Sequence, residues 1–227
     1  MKTYLLAGAG PKTGSKSFRF HHYLARELAN DHGKHTPIIA YVGAASGDSV
    51  VFEKMISTAM FGLGAKVHSV KLTKKTTKTS EVKSVLEGCD LVFISGGDVD
   101  AGMTAIHDRD LGPFFRSLAT KGVAFEGVSA GSIMLGEHWV RFEDEHDDSV
   151  EVFDCMGIVP FSFDAHDEPE WTELFALAKN LPEGNTVFGL TSATCAVWDG
   201  KKLSALGGPI ARVKTGPKAK RLAELSP

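Results

Sequence analysis

Two runs in this chain leave little choice of architecture. Residues 37–44 and 90–94 are short and almost unbroken in their apolar character, and a third run from Gly122 ends at Gly127-Val128. A strand with one wet face alternates polar and apolar residues, whereas an unbroken run of this length suits a parallel strand covered on both faces. Amphipathic stretches at residues 19–30, 49–63, 81–87, 101–107 and 111–121 read as helices between strands at 2–7, 37–44, 65–72, 90–94 and the run before Gly127. Strands alternating with helices predict an α/β fold, a three-layer, doubly wound, mostly parallel sheet, with ligands beyond the carboxyl ends of the strands.

The later half is less regular. Residues 157–166 read as an apolar strand delivering His166 at its end, with a helix opening at residues 167–169 and running to about 180. Short strands follow at 186–190, 195–198 and 202–206, the last two joined by the turn signal Asp199-Gly200. The basic tail is expected to add a last strand before fraying. The polar Lys/Thr run at 73–80 reads as a solvated loop, and neither repeats nor low-complexity linkers interrupt the chain.

With 227 residues, 43% of them hydrophobic, the chain can bury a full core and is expected to form one domain over residues 1–227. A net charge of −3 and a pI near 6.3 give no general attraction to nucleic acid or anionic lipid. The first residues hold too short an apolar run for a secretory signal, and no run reaches the length of a membrane span, so a cytoplasmic protein is expected. Cys89, Cys155 and Cys195 are scattered and odd in number, which fits small buried side chains better than a disulfide framework or a zinc site.

The chemistry-bearing stretch is Gly127-Val128-Ser129-Ala130-Gly131, a G-x-S-x-G pattern between a strand and a helix. On such a bend the serine is held in a strained conformation with its hydroxyl projecting at the sheet edge, and the helix N-terminus faces a developing oxyanion. Ser129 is therefore the candidate nucleophile, against the blander reading of a serine N-cap. Gly96-Gly97 at the end of another central strand can bring a second N–H to the same place. A serine needs a base, and of nine histidines His166 stands out, because it ends a buried segment C-terminal to the serine. His21, His22, His32 and His35 lie in polar surroundings, His107, His138 and His146 on surface helices or loops, and His68 on a strand. Two further patterns have ordinary readings. Gly8, Gly10 and Gly14 suit a tight strand-to-helix loop better than a phosphate cradle, since the glycine spacing is displaced and Pro11 removes a donor. The acidic patch at residues 143–148 with Glu151 and Asp154 lacks the spacing of a calcium loop and reads as a solvated loop.

Taken together, Phe93-Ile94-Ser95-Gly96-Gly97-Asp98, residues 127–132, residues 157–166, Phe188-Gly189-Leu190 and Ala205-Leu206-Gly207-Gly208 resemble the peptidase E (aspartyl dipeptidase) and cyanophycinase family. These are serine hydrolases with a class I glutamine amidotransferase-like, flavodoxin-like fold. The resemblance implies Ser129 as nucleophile and His166 as base, with the N–H groups of Gly97 and Ala130 as oxyanion hole. It further implies a small peptide substrate, no metal or organic cofactor, and a homodimer. The chain also departs from the pattern. Thr191 and Ser192 stand where peptidase E carries the glutamate that orients the histidine, leaving Asp144, Asp164 and Glu168 as substitute acids. The arginine-bearing stretch that selects an N-terminal aspartate is not recognisable after His166. A rival reading is a ligand-binding or sensor protein that keeps the fold without a complete triad. Amidotransferase chemistry fits less well, because it uses a cysteine at the bend.

Overall fold

A computed structural model of the chain describes residues 2–8, 36–62, 64–142, 150–165, 170–191 and 194–227. The expected loop after Gly8, the helix over 19–30 and His21, His22, His32, His35 and His146 lie outside these residues. Seven strands form the central sheet: β1 (Thr3–Leu6), β2 (Ile38–Val42), β3 (Lys66–Val70), β4 (Leu91–Ile94), β5 (Ala124–Val128), β10 (Cys195–Trp198) and β11 (Leu203–Leu206), in the order β11-β10-β1-β5-β4-β2-β3. β1, β5, β4, β2 and β3 pair in parallel, and the β10–β11 hairpin adds an antiparallel edge. At that hairpin the Asp199 carboxylate accepts from the Lys201 and Lys202 amides, both at 2.8 Å, so the turn signal at Asp199-Gly200 reflects a real turn.

The apolar runs are covered on both faces, as their composition requires. Leu5, Val92, Ile94 and Phe125 point to a core that also takes Val82 and Leu86 of the helix Thr79–Glu87, Met103 and Ile106 of Val99–His107, and Phe115 and Leu118 of Gly112–Thr120. Tyr4, Leu6, Tyr41, Phe93 and Val128 point the other way, onto Ile56 and Met60 of the helix Val50–Gly62. The doubly wound arrangement follows from this alternation within strands that read as uniformly apolar.

A second sheet orders β13 (Lys220–Arg221), β12 (Ala211–Lys214), β9 (Thr186–Gly189) and β8 (Phe163–Asp164), and the helix Thr172–Asn180 packs Leu174, Leu177 and Ala178 into the same core as β9 and β12. Here three sequence expectations need correction. The strand expected over 157–166 is only β8, because the apolar residues before it wrap the end of the short helix Ala130–Met134: the Ile158 and Val159 amides donate to the Leu135 carbonyl at 3.0 and 3.1 Å. The tail gives two short strands of this second sheet. Glu151 and Asp154 are not on a loop: they lie on β7 (Val150–Asp154), which pairs with β6 (His138–Phe142), so His138 is on a strand as well. No helix among the described residues is long and apolar enough to cross a membrane.

Candidate active site

β1, β4 and β5 end level with one another, with Leu6 opposite Val128 and Ile94 opposite Gly127, so the bend after β5 stands at the middle of the sheet's carboxyl edge. Ser129 occupies that bend at φ 53° and ψ −122°, a region that favours glycine. Its amide donates to the Leu6 carbonyl at 2.8 Å, and its carbonyl accepts from the Ser132 amide at 2.8 Å, which opens the helix Ala130–Met134. The two flanking glycines are required by packing. A Cβ on Gly127 would stand 2.6 Å from the Gly131 carbonyl oxygen, and one on Gly131 would stand 2.1 Å from the Ile94 oxygen.

One further anchor had no sequence signal of its own. The buried Ser132 hydroxyl accepts from the Leu6 amide at 2.9 Å and donates to the Leu6 carbonyl at 2.8 Å, tying the short helix to the end of β1. The general rule for helix starts leaves the Ala130 N–H with no acceptor inside the helix.

The Gly96-Gly97 pair lies against the bend, as expected. A Cβ on Gly96 would meet the Ser129 Cβ at 3.2 Å, and Gly97, at φ 144°, leaves no room for one, since it would stand 2.0 Å from the Ala45 oxygen. The Asp98 amide donates to that same Ala45 oxygen at 2.8 Å, while the Asp98 carboxylate caps the helix Val99–His107 through the Ala101 amide at 2.8 Å. The loop carrying Ala45 and Ser46 is held in turn by Asp48, whose carboxylate accepts from the Thr73 amide and hydroxyl at 2.8 and 2.7 Å. Ser129, Gly96 and Gly97 are thus brought together by segments well separated in sequence, and Gly97 and Ala130 border one cavity of about 240 Å³.

Two cavities flank the bend and differ in character. On one side, about 200 Å³ is bounded by Tyr41, Phe52, Met55, Ile56, Phe93 and Val128, with Gly96 and Ser129 at its edge. Tyr41 and Phe93 stack there at 5.7 Å between ring centroids. Burial pushes the Tyr41 phenol above its ordinary range; the nearby Ser95 and Ser46 hydroxyls only partly offset that, and stand outside hydrogen-bond geometry. On the other side, the cavity that Gly97 and Ala130 border is polar. Arg141 there binds Asp100 and also Glu151, its cross-strand neighbour, and the hydrogen bond from Arg141 holds the Asp100 carboxyl below its ordinary range. A larger cleft of about 1000 Å³ lies between the 73–79 loop and the helix Val99–His107, where it reaches Asp98 and Asp100.

The other expected residues are placed less fully. Asp164 is buried on β8 opposite Gly189, with its carbonyl accepting from the Leu190 amide at 2.8 Å. Thr191 engages its own loop, where its carbonyl accepts from the Thr194 hydroxyl at 2.8 Å. His166, Asp144, Glu168 and Ser192 lie outside the described residues. No group of three or more His, Cys, Asp or Glu able to hold a metal ion occurs among the described residues.

A family model, "Peptidase family S51", matches residues 5–205. Among curated proteins, peptidase E of Actinobacillus pleuropneumoniae serotype 5b is 23% identical over 168 residues, which is 73% of this chain and 68% of that one. Peptidase E of Pasteurella multocida gives the same identity and coverage. Among solved structures, a peptidase from an acI-B1 Actinobacterium superposes with a TM-score of 0.76 over 99% of this chain and 96% of that one, at 17% identity. A Listeria monocytogenes EGD-e protein, provisionally named peptidase E, gives a TM-score of 0.65 at 13% identity, covering 91% of this chain and 98% of that one. These structural likenesses bear on the fold, which is the peptidase E type of mixed α/β architecture.

Proposed function

This chain belongs to peptidase family S51, and on that premise we propose that it is a serine hydrolase of the peptidase E kind, cleaving a small peptide or isopeptide through an acyl-enzyme on Ser129. The observation that carries the reading is the Ser129 backbone. Asp48, Asp110 and Trp171 also have positive φ, but Ser129 combines φ 53° with ψ −122°, outside the ordinary left-handed region that Trp171 occupies, a strain on the order of 1–3 kcal/mol that supports a functional bend.

In this mechanism the Ser129 Oγ attacks the amide carbonyl carbon while His166 takes the hydroxyl proton. The carbonyl electron pair moves onto oxygen, and the Gly97 and Ala130 N–H groups donate hydrogen bonds to the resulting oxyanion. Collapse breaks the C–N bond, and the amine leaves with the proton returned by His166. A water deprotonated by His166 then releases the acid and restores Ser129. Asp144 is the acid we assign to hold the imidazole and stabilise its protonated form, with Asp164, Glu168 and the Ser192 position as the alternatives. The chemistry calls on no metal or organic cofactor. We place the reaction in the cytoplasm, in a homodimer, with no nucleic-acid or membrane partner.

A fluorophosphonate probe is expected to label Ser129 in the wild type, with labelling lost in Ser129→Ala and His166→Ala and slowed roughly 10³–10⁴-fold in Asp144→Asn. Labelling with peptide turnover supports the reading. A wild type that neither labels nor cleaves any member of a dipeptide and isopeptide library overturns it and favours the non-catalytic binding protein.

A further inference from the structure

We infer that the cavity beside Ser129 is an acyl-side specificity pocket for an apolar side chain of aliphatic or single-ring size, and that it rejects a carboxylate. This inference rests on the hydrolase reading and adds a substrate class to it. Four observations converge. The cavity is lined by Gly96 and Ser129 of the bend, so a side chain next to a carbonyl held at Ser129 can enter it. Its lining comes from β2, β4 and the helix Val50–Gly62, with Tyr41 and Phe93 stacked and buried and Ile56 buried beside them. Its volume of about 200 Å³ exceeds the roughly 150 Å³ of an apolar cavity known to take a benzene ring. Finally, none of the described residues that line it is a cation. Among those residues the polar groups besides backbone are the Ser95 and Ser129 hydroxyls and the buried Tyr41 phenol, so an acidic side chain would meet no counter-charge from them, an expensive burial.

Arg141, which lines the cavity on the other flank, does not alter this, because it is engaged by Asp100 and Glu151. Phe52 stands half-exposed at the mouth of the pocket, where an incoming chain would cover it.

p-Nitrophenyl esters isolate the acyl side, because every member of the series has the same leaving group. The Ser129-dependent part of kcat/KM, after subtraction of the Ser129→Ala rate, is expected to rise about two- to fourfold per added methylene from acetyl to hexanoyl, more than about tenfold over the four. The hemisuccinate ester, close in size to butyryl but ending in a carboxylate, is expected to fall at least about tenfold below butyryl. Ile56→Trp, which enlarges a buried lining residue, and Phe52→Asp, which changes an exposed one, should each lower the hexanoyl-to-acetyl ratio. A ratio unmoved by chain length, or a preference for hemisuccinate, overturns the pocket and leaves the hydrolase intact.

If no Ser129-dependent turnover is found, the hydrolase reading fails. The pocket is then judged by the Met55 methyl resonance in carbon-labelled protein. Displacement by hexanamide but not by acetamide or succinamate retains the apolar site, and no displacement by any of the three removes it.

Discussion

At the scale of single residues, strain and close approach separate positions that look alike in sequence. Ser129 and its flanking glycines all occupy unusual space, yet substitutions should act in opposite directions. Ser129→Gly places the permissive residue at φ 53°, so relative to Ser129→Ala it should gain about 1 kcal/mol in urea unfolding, after the extra unfolded-state entropy of glycine is deducted. Gly131→Ala instead drives a methyl to 2.1 Å from a backbone oxygen that cannot move aside, and should cost more than 3 kcal/mol or abolish soluble expression. Cys89 illustrates the quiet case: burial pushes its thiol up to about 12, so in the native protein it should resist iodoacetamide at pH 8 and react only after denaturant is added. The bend was readable from the sequence because the glycine spacing is a steric demand of the site itself. The pocket was not, since Tyr41, Ile56, Phe93 and Val128 come from segments far apart in the chain and each looks like ordinary core.

Among elements, the 73–80 loop is better held than its composition suggests. Arg109 donates to the carbonyls of Leu72, Lys74 and Thr77, each at 2.7 Å, a three-way grip that uses the fork of the guanidinium. Arg109→Lys, whose single ammonium cannot span those oxygens, should fail to restore what Arg109→Ala loses, and both should speed tryptic cleavage at Lys74, Lys75 and Lys78. The β6–β7 hairpin escaped the sequence reading for a related reason. Its outward positions carry Arg141, Glu151 and Asp154, which mimic a solvated loop, while Trp139 and Val140 alone are buried in the core. Residues 157–162 misled in the opposite sense: they are apolar because they cover the short helix after Ser129, a job that needs hydrophobicity without a strand. Gly189 is a third case in which a partner distant in sequence fixes a residue. A Cβ there would stand 2.7 Å from the Trp171 ring, so Gly189→Ala should shift tryptophan fluorescence and destabilise the second sheet.

For the whole molecule, the two faces of the central sheet share the stabilisation, and a single truncation on either should be felt. Leu86→Ala on one face and Ile56→Ala on the other are each expected to cost about 2–5 kcal/mol in denaturant unfolding. Acid should act more locally. Because Arg141 holds Asp100 below its ordinary range, the link between β6 and the helix Val99–His107 is in force above about pH 3.9 and lost as pH falls through the lowered value. Hairpin amide exchange should therefore be level from pH 7 to about 4 after correction for intrinsic rates, and rise below that, with Asp100→Asn lacking the acid-dependent part. The hydrogen bonds that bind Leu6 to Ser129 and Ser132 carry a consequence for biogenesis. Leu6 leaves the ribosome more than a hundred residues before either partner exists, since its bonds to Ser132 span 126 positions. The centre of the sheet cannot close until more than half of the chain has been made, and nascent chains stalled before Ser132 emerges should be bound by chaperones and cut by protease where longer ones are spared.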